Sequence, residues 1–403
     1  MEKRDVLLIV NYWHFETEKA SSRYRSLANV LCEEFDLEVV TSTFCHLTKK
    51  QREPEKLGLD RLPYKMTLQY EKGYRKNISL DRIASYTQFG KNVDRYLRSR
   101  KKPDLIIVSV PSLAVADYVT RYAKEQSIPV IVDIQDLWPE AFKMALDIPV
   151  VSDVLFYPMK KQAQRIYSRA DVIMAVSDTY AAVGKRSNPI AGELSIYIGT
   201  DGELVQEKTA GVEVGKPSGE FWIGYVGALG HSYDIKAVVD AVKKLHDAGH
   251  HDIVLKVMGE GVLRTEFEEY AGAAGIRCDF TGLLDYGTMM KTLMQCDIAV
   301  NPIVGKSVSS IINKVADYAA AGVPVVNTQN SPEYRKLLEE HNAGINVENG
   351  NTEQLAQALL RLHEDDALRA EMGARQKALF DERFDRNKTY PAVIHQIHTL
   401  LDS

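Results

Sequence analysis

The chain has 403 residues and a formal net charge of −5, with 45% apolar and 26% charged residues, which fits two ordinary soluble domains and excludes a disordered or fibrous polymer. Its apolar runs, such as Leu105 to Val110, are strand-length, against about 20 residues needed to span a bilayer. The opening VLLIV before Asn11 is too short for a signal peptide, so a cytoplasmic protein is expected.

The N-terminal part alternates strand and helix. Val6 to Val10 reads as a buried strand, Ser21 and Ser22 as a cap for a helix carrying Leu27, Val30 and Leu31, and Leu37 to Thr41 as the next strand. The first strand is followed by NYWHFETEKASSRYRS, which has no glycine and so excludes a dinucleotide fingerprint. From Lys49 to Lys102 there are sixteen Lys and Arg against six Asp and Glu, interleaved with Tyr64, Met66, Leu68, Tyr70, Tyr74, Tyr86, Phe89 and Tyr96. That mixture suits an anionic membrane surface or lipid phosphate, or simply a solvated helical face, and no nucleic-acid module accompanies it. Leu105 to Val110, Pro129 to Asp133 and Val172 to Val176 are further strands, and the alternation predicts a parallel sheet with helices on both faces. Ligands bind beyond the carboxyl ends of such strands, where Ser22, Arg23, Asp136 and Glu140 fall. In DLWPE, Trp138 and Pro139 make a stiff turn that presents the two acids, or an acidic helix start.

Residues 198 to 220 form a polar, glycine-bearing stretch that reads as a linker. The cycle then restarts: strand Phe221 to Val226, the GALGHSYD turn, helix Ile235 to Ala248, strand Ile253 to Met258, the turn Gly259-Glu260-Gly261, a helix, and strand Asp279 to Thr281. From Asp297 to Thr328 the pattern is strand (Ile298 to Pro302), polar loop (Gly305 to Ser310), helix (Ile311 to Ala321) and strand (Val323 to Asn327), with Gly322 and Pro324 ending the helix. The loop hydroxyls, the helix N-terminus and Lys314 suit a phosphate, and Asp317 suits vicinal sugar hydroxyls. The same Lys314 and Asp317 would alternatively form a helical ion pair worth about 0.2 to 0.5 kcal/mol. Gly305-Lys306-Ser307 mimics the end of a P-loop, but the required earlier glycine is Val300. Helical segments from Thr352 to Leu379 and Tyr390 to Leu401 close the chain. The four cysteines, Cys32, Cys45, Cys278 and Cys296, have no paired spacing, which points to free thiols, and no metal-ligand cluster is visible.

In this order, DLWPE (Asp136 to Glu140), YVGALGHSYDI (Tyr225 to Ile235), Gly259-Glu260-Gly261, FTGLL (Phe280 to Leu284) and NKVADYAAAGVPVV (Asn313 to Val326) resemble the retaining GT-B glycosyltransferases of the family 4 type over essentially the whole chain. The likeness is nearest to the bacterial enzymes that build O-antigen and capsular polysaccharides. It implies an α/β protein of two Rossmann-like, doubly wound domains facing a central cleft. An N-terminal acceptor domain would span residues 1–200 and a nucleotide-sugar domain residues 201–384, with a helix at 385–403 returning to the first.

The resemblance further implies that Asp317 binds the ribose and that Ser310, Ile311, Ile312 and Asn313 meet the diphosphate and donor sugar. Gly282, Leu283 and Leu284 would lie against the base, and Gly227, Gly230 and His231 would face the phosphates. Lys314, Asp136, Glu140 and Ser309 are the catalytic candidates, and Ser22 and Arg23 the acceptor-binding ones. The chain departs from the family at Ser309, where an acid is usual, at Ala228 and Tyr233, where Arg and Lys are common, and at Gln135, where histidine is common. The expected reaction moves a sugar from a UDP-sugar to a lipid-linked or polysaccharide acceptor, with no metal or other cofactor, at the inner face of the membrane. A nucleotide-sugar epimerase and a non-catalytic binding subunit of a transferase complex are the alternatives.

Overall fold

A strand buried on both faces must be apolar throughout, and parallel partners need a crossover to bring the chain back. The continuous apolar runs accordingly become strands of two all-parallel sheets. The computed structural model describes residues 3–18, 23–77, 79–139, 155–305 and 311–402. It divides into one unit of Met1–Tyr197 with Tyr390–Ser403 and another of Ile198–Thr389, against expected boundaries at 200/201 and 384/385.

The first unit contains β1 (Asp5–Ile9), β2 (Asp36–Ser42), the short antiparallel pair β3 (Phe44–Cys45) and β4 (Lys50–Gln51), β5 (Lys65–Gln69), β6 (Leu105–Val110), β7 (Val130–Ile134), β8 (Val172–Ala175) and β9 (Gly192–Ser195). Its sheet runs β5-β2-β1-β6-β7-β8-β9, so the order reverses between β1 and β6. Successive residues serve opposite layers, as the strand period requires. Leu7, Ile9, Ile106 and Val108 pack with Phe89 and Val93 of helix Leu80–Ser99. Leu8, Leu105 and Ile107 pack with Leu27 and Leu31 of helix Arg23–Glu34 and with Val393 and Ile397 of the final helix, Pro391–Leu401.

The basic stretch is a strand and helix of this sheet rather than an appendage. β5 pairs with β2 in parallel, Lys65 opposite Glu38. Tyr64, Tyr74, Tyr86 and Phe89 are interior, so most of the aromatics expected at a membrane face belong to the core. Within this stretch and just before it, among the described residues, the large apolar side chains that face solvent are Leu47, Tyr70, Leu80 and Ile83. The excess positive charge is partly balanced within the unit, because Arg52 donates to Glu18, Arg100 pairs with Asp5 and Glu38, and Arg98 reaches Glu125.

The second unit contains β10 (Phe221–Val226), β11 (Ile253–Met258), β12 (Cys278–Gly282), β13 (Ile298–Asn301), β14 (Val325–Asn327) and β15 (Gly344–Asn346), ordered β12-β11-β10-β13-β14-β15. The direction of winding switches between β10 and β13. The stretch read as a linker holds a helix, Gly202–Thr209, whose N-cap Asp201 accepts from Leu204 N. The helix expected from Ile311 begins at Lys314. All four cysteines are free. Among the described residues, no helix is long and apolar enough to cross a membrane.

Candidate functional site

At the switch between β10 and β13, two glycine turns lie backbone to backbone. Leu229 N donates to Glu260 O at 2.9 Å, and a Cβ on Gly261 would meet Leu229 O at 2.1 Å, so only glycine fits. Gly227, just past β10, has φ +135° and donates to Met258 O. A Cβ here would lie 2.6 Å from Lys314 Nζ. The bare backbone is what admits the ammonium.

Lys314, the first residue of helix Lys314–Ala321, is 8% exposed, and among the described residues its Nζ has no hydrogen-bond partner. Nζ lies 4.1 Å from the ring centroid of Tyr225 and 3.8 Å from that of Tyr233. The rings meet edge to face, and the Tyr225 hydroxyl donates to Ala228 O at 2.6 Å. Burial pushes the Lys314 ammonium well below the ordinary lysine range, against cation–π attraction of about 0.5 to 2 kcal/mol from each ring. A desolvated cation held by π faces, with no counter-charge among the described residues, is prepared for an anion.

One turn on, Asp317 accepts from the Tyr286 hydroxyl at 3.0 Å, and Tyr286 in turn meets the Thr200 hydroxyl at 3.0 Å. Burial pushes the Asp317 carboxyl up to about 6, offset in part by Tyr286 and by the charge of Arg386. Lys314 and Asp317 therefore point to different partners, which excludes the helical ion pair. The helix amides contribute less than expected, since Val315 N and Ala316 N donate to Ile312 O and Asn313 O. Ile311 is buried, Ile312 half-buried and Asn313 exposed. Gly282 takes φ +74° beside the largely exposed Leu283 and the half-buried Leu284. Gly230 has open space around its Cα and His231 is exposed. Ser309 and Ser310 lie outside the described residues.

In the first unit Arg23 is held within the fold. It is 5% exposed and pairs with the fully buried Asp133 at 3.3 Å, and Asp133 also accepts from Tyr24 and Gln135. Burial works against the Arg23 charge, but the Asp133 carboxylate together with Tyr390 and Tyr24 more than offsets it. That pair engages Nη1 of Arg23, and its Nε has no partner among the described residues. Asp136 is half-buried; burial raises its carboxyl, with Trp138, the Leu137 amide and the Arg82 charge opposing. Arg82 lies over the Trp138 ring at 4.8 Å and donates to the Tyr86 and Tyr12 hydroxyls at 2.6 Å each. Tyr74 bonds Tyr86 at 3.1 Å and also His46, whose imidazole is pushed down to about 4 by burial and by the Lys49 and Arg82 charges. Trp138 is buried, so the DLWPE turn is anchored by its tryptophan while Asp136 stays partly open. Ser22 and Glu140 lie outside the described residues.

Residues 220–365 match the family profile described as Glycosyl transferases group 1. No curated protein matches the chain in sequence. Among solved structures, HepE of Anabaena in complex with UDP superposes with a TM-score of 0.67 at 14% identity, over 98% of this chain and 100% of that one. The fold is GT-B. Sucrose-phosphate synthase of Thermosynechococcus elongatus has the same GT-B architecture, with a TM-score of 0.69 at 14% identity over 99% and 100% of the two chains. So does WaaG, a glycosyltransferase involved in lipopolysaccharide biosynthesis, with a TM-score of 0.61 at 15% identity over 97% and 99%.

Within this GT-B chain, sequence reasoning missed Tyr225, Tyr286 and Thr200, which shape the surroundings of Lys314 and Asp317. It noted Tyr233 only as a lost lysine. The available signal was geometric: a tyrosine in the turn after β10 lies where the first side chain of the helix after β13 arrives, since the two strands are neighbours.

Proposed function

We propose that the chain transfers a hexosyl or N-acetylhexosaminyl group, with retention, from a UDP-sugar to a lipid-linked or polysaccharide acceptor in surface-glycan synthesis. The observation that carries this reading is the buried Lys314 ammonium, which has no counter-ion among the described residues and sits beside the Gly227 backbone. A departing nucleoside diphosphate gains negative charge as the glycosidic bond breaks, and a fixed cation in a site of low dielectric stabilises that charge. Lys314 serves the diphosphate and Asp317 the ribose hydroxyls. Gly282, Leu283 and Leu284 lie along the base, and the turn from Gly227 to His231 along the phosphates. Asp136, beside Arg82, serves the acceptor together with Glu140. The acceptor hydroxyl attacks on the face the diphosphate leaves, and a leaving-group oxygen takes its proton, so neither a protein nucleophile nor a metal is invoked. The HepE complexes with UDP and UDP-glucose support the nucleotide, and the role of WaaG in lipopolysaccharide synthesis supports a surface glycan.

The protein works in the cytoplasm at the inner face of the membrane. Solvent-facing Leu47, Tyr70, Leu80 and Ile83, with exposed Arg75 and Lys76, support docking on an anionic leaflet. The test is incubation with a panel of labelled UDP-sugars and bacterial lipid extract, followed by product analysis. A glycosylated lipid or glycan supports the proposal. An isomerised UDP-sugar makes the protein an epimerase, binding without conversion makes it a non-catalytic subunit, and absence of UDP binding removes the reading of Lys314.

A further inference from the structure

At the other end of the second unit's sheet, we propose that His250, Asp252 and His363 bind one transition-metal dication of the zinc class. His250 and Asp252 belong to the turn between helix Ile235–Asp247 and β11, and His363 to the last turn of helix Thr352–Glu364, 111 residues from Asp252. One ligand atom from each lies within 4.8 Å of the others. His363 Nε2 and Asp252 Oδ2 are 2.8 Å apart, and the His250 ring stands at 75° to the His363 ring with centroids 4.9 Å apart.

Ligand atoms about 2.0 to 2.1 Å from a tetrahedral ion stand roughly 3.3 Å from each other. Small side-chain adjustments therefore bring the triad to coordination distance, with water completing the shell. A plain aspartate–histidine bond accounts for two of the three groups. It leaves unexplained the second imidazole, which stands against the His363 ring. The nearby guanidinium groups are engaged by carbonyls and other carboxylates: Arg369 donates to Leu362 O and His363 O and pairs with Asp366, and Arg277 donates to His251 O and pairs with Glu220.

Two imidazoles and one carboxylate suit zinc or its neighbours, whereas calcium and magnesium prefer all-oxygen shells. The six residues of β11, at about 3.3 Å each, separate this site from the Met258 carbonyl that holds Gly227. The ion is therefore a staple joining the β11 turn to helix Thr352–Glu364, outside the Lys314 site.

The experiment uses the chelator-treated full chain, titrated with Zn2+ by calorimetry and with Co2+ in the visible. One equivalent should bind with a nitrogen and oxygen ligand spectrum, and Zn2+ should raise the melting temperature. His363→Ala and His250→Gln should each weaken Zn2+ by at least about tenfold. If His363→Ala fails to fold by circular dichroism, His250→Gln, on the turn, carries the test. UDP affinity should be the same with and without Zn2+. Absence of saturable binding, unchanged affinity in His250→Gln, or a thiolate-to-cobalt band would overturn the assignment of the ligands. A change in UDP affinity with Zn2+ would overturn its purely structural role.

Discussion

Replacing Lys314 by Met keeps the length and apolar stem of the side chain and removes the charge. The ammonium has two tyrosine faces and no counter-ion among the described residues, so its role in the empty protein differs from its role with ligand bound. In the empty protein it is a cost. Its proton affinity is depressed by burial, so the unfolded chain holds more protons between the folded value and the ordinary lysine value. Stability therefore rises with pH across that interval. At pH 7 Lys314→Met should be at least as stable as the wild type in urea, and any advantage should shrink as pH rises toward that of free lysine. With UDP bound, the lost charge-assisted hydrogen bonds are worth about 1.5 to 3 kcal/mol, a factor of roughly 10 to 150 in dissociation constant. Calorimetry should show that loss for UDP and UDP-sugars, with uridine affinity nearly unchanged. UDP should also raise the melting temperature of the wild type by more than that of the variant. Equal losses for uridine and UDP would refute the anion role, and a variant clearly less stable at pH 7 would refute the account of the burial cost.

Asp317→Asn should weaken uridine, UDP and UDP-sugars alike, by about 1.5 to 3 kcal/mol. Because burial puts its carboxyl at about 6, wild-type uridine affinity should fall as pH drops through 6 while the variant's stays flat by calorimetry. Arg23→Ala should lower stability in urea by about 3 to 5 kcal/mol, since it leaves Asp133 buried without its cation, and UDP affinity should be unchanged. Asp136→Asn should lower turnover while leaving UDP affinity intact; a large loss of UDP binding would move Asp136 to the donor. Leu80→Ser with Ile83→Ser should reduce binding to anionic liposomes in flotation assays without loss of stability, whereas Tyr64→Ser, which opens the core, should lower the melting temperature.

Much of the fold was legible because buried parallel strands must be continuously apolar and the intervening helices carry their own spacing. The runs at Leu105 to Val110, Phe221 to Val226 and Ile253 to Met258 became strands with those bounds. The glycines of GALG and GEG announced a close backbone approach, which the two turns at Gly227 and Gly259 make. Lys314 and Asp317 stood out because a cation and an acid one turn apart at a helix start suit a ligand. What one-dimensional spacing could not decide was their partners. Helical periodicity placed the two on one face, yet the helix meets Tyr225 and Tyr233 from one neighbouring segment and Tyr286 from another, so each side chain found a different environment. Arg23 shows the same limit: a base beyond a strand end suits an acceptor by position, while its partner Asp133, 110 residues away, is brought to it only by the sheet. The aromatic, basic stretch matched a membrane face by composition, and its burial was decided by β5 pairing with β2. His363 joined His250 and Asp252 only through packing of helix Thr352–Glu364. Local sequence determines which elements form and where backbones can touch; which charges are buried, paired or left free depends on chain segments that only the tertiary fold brings together.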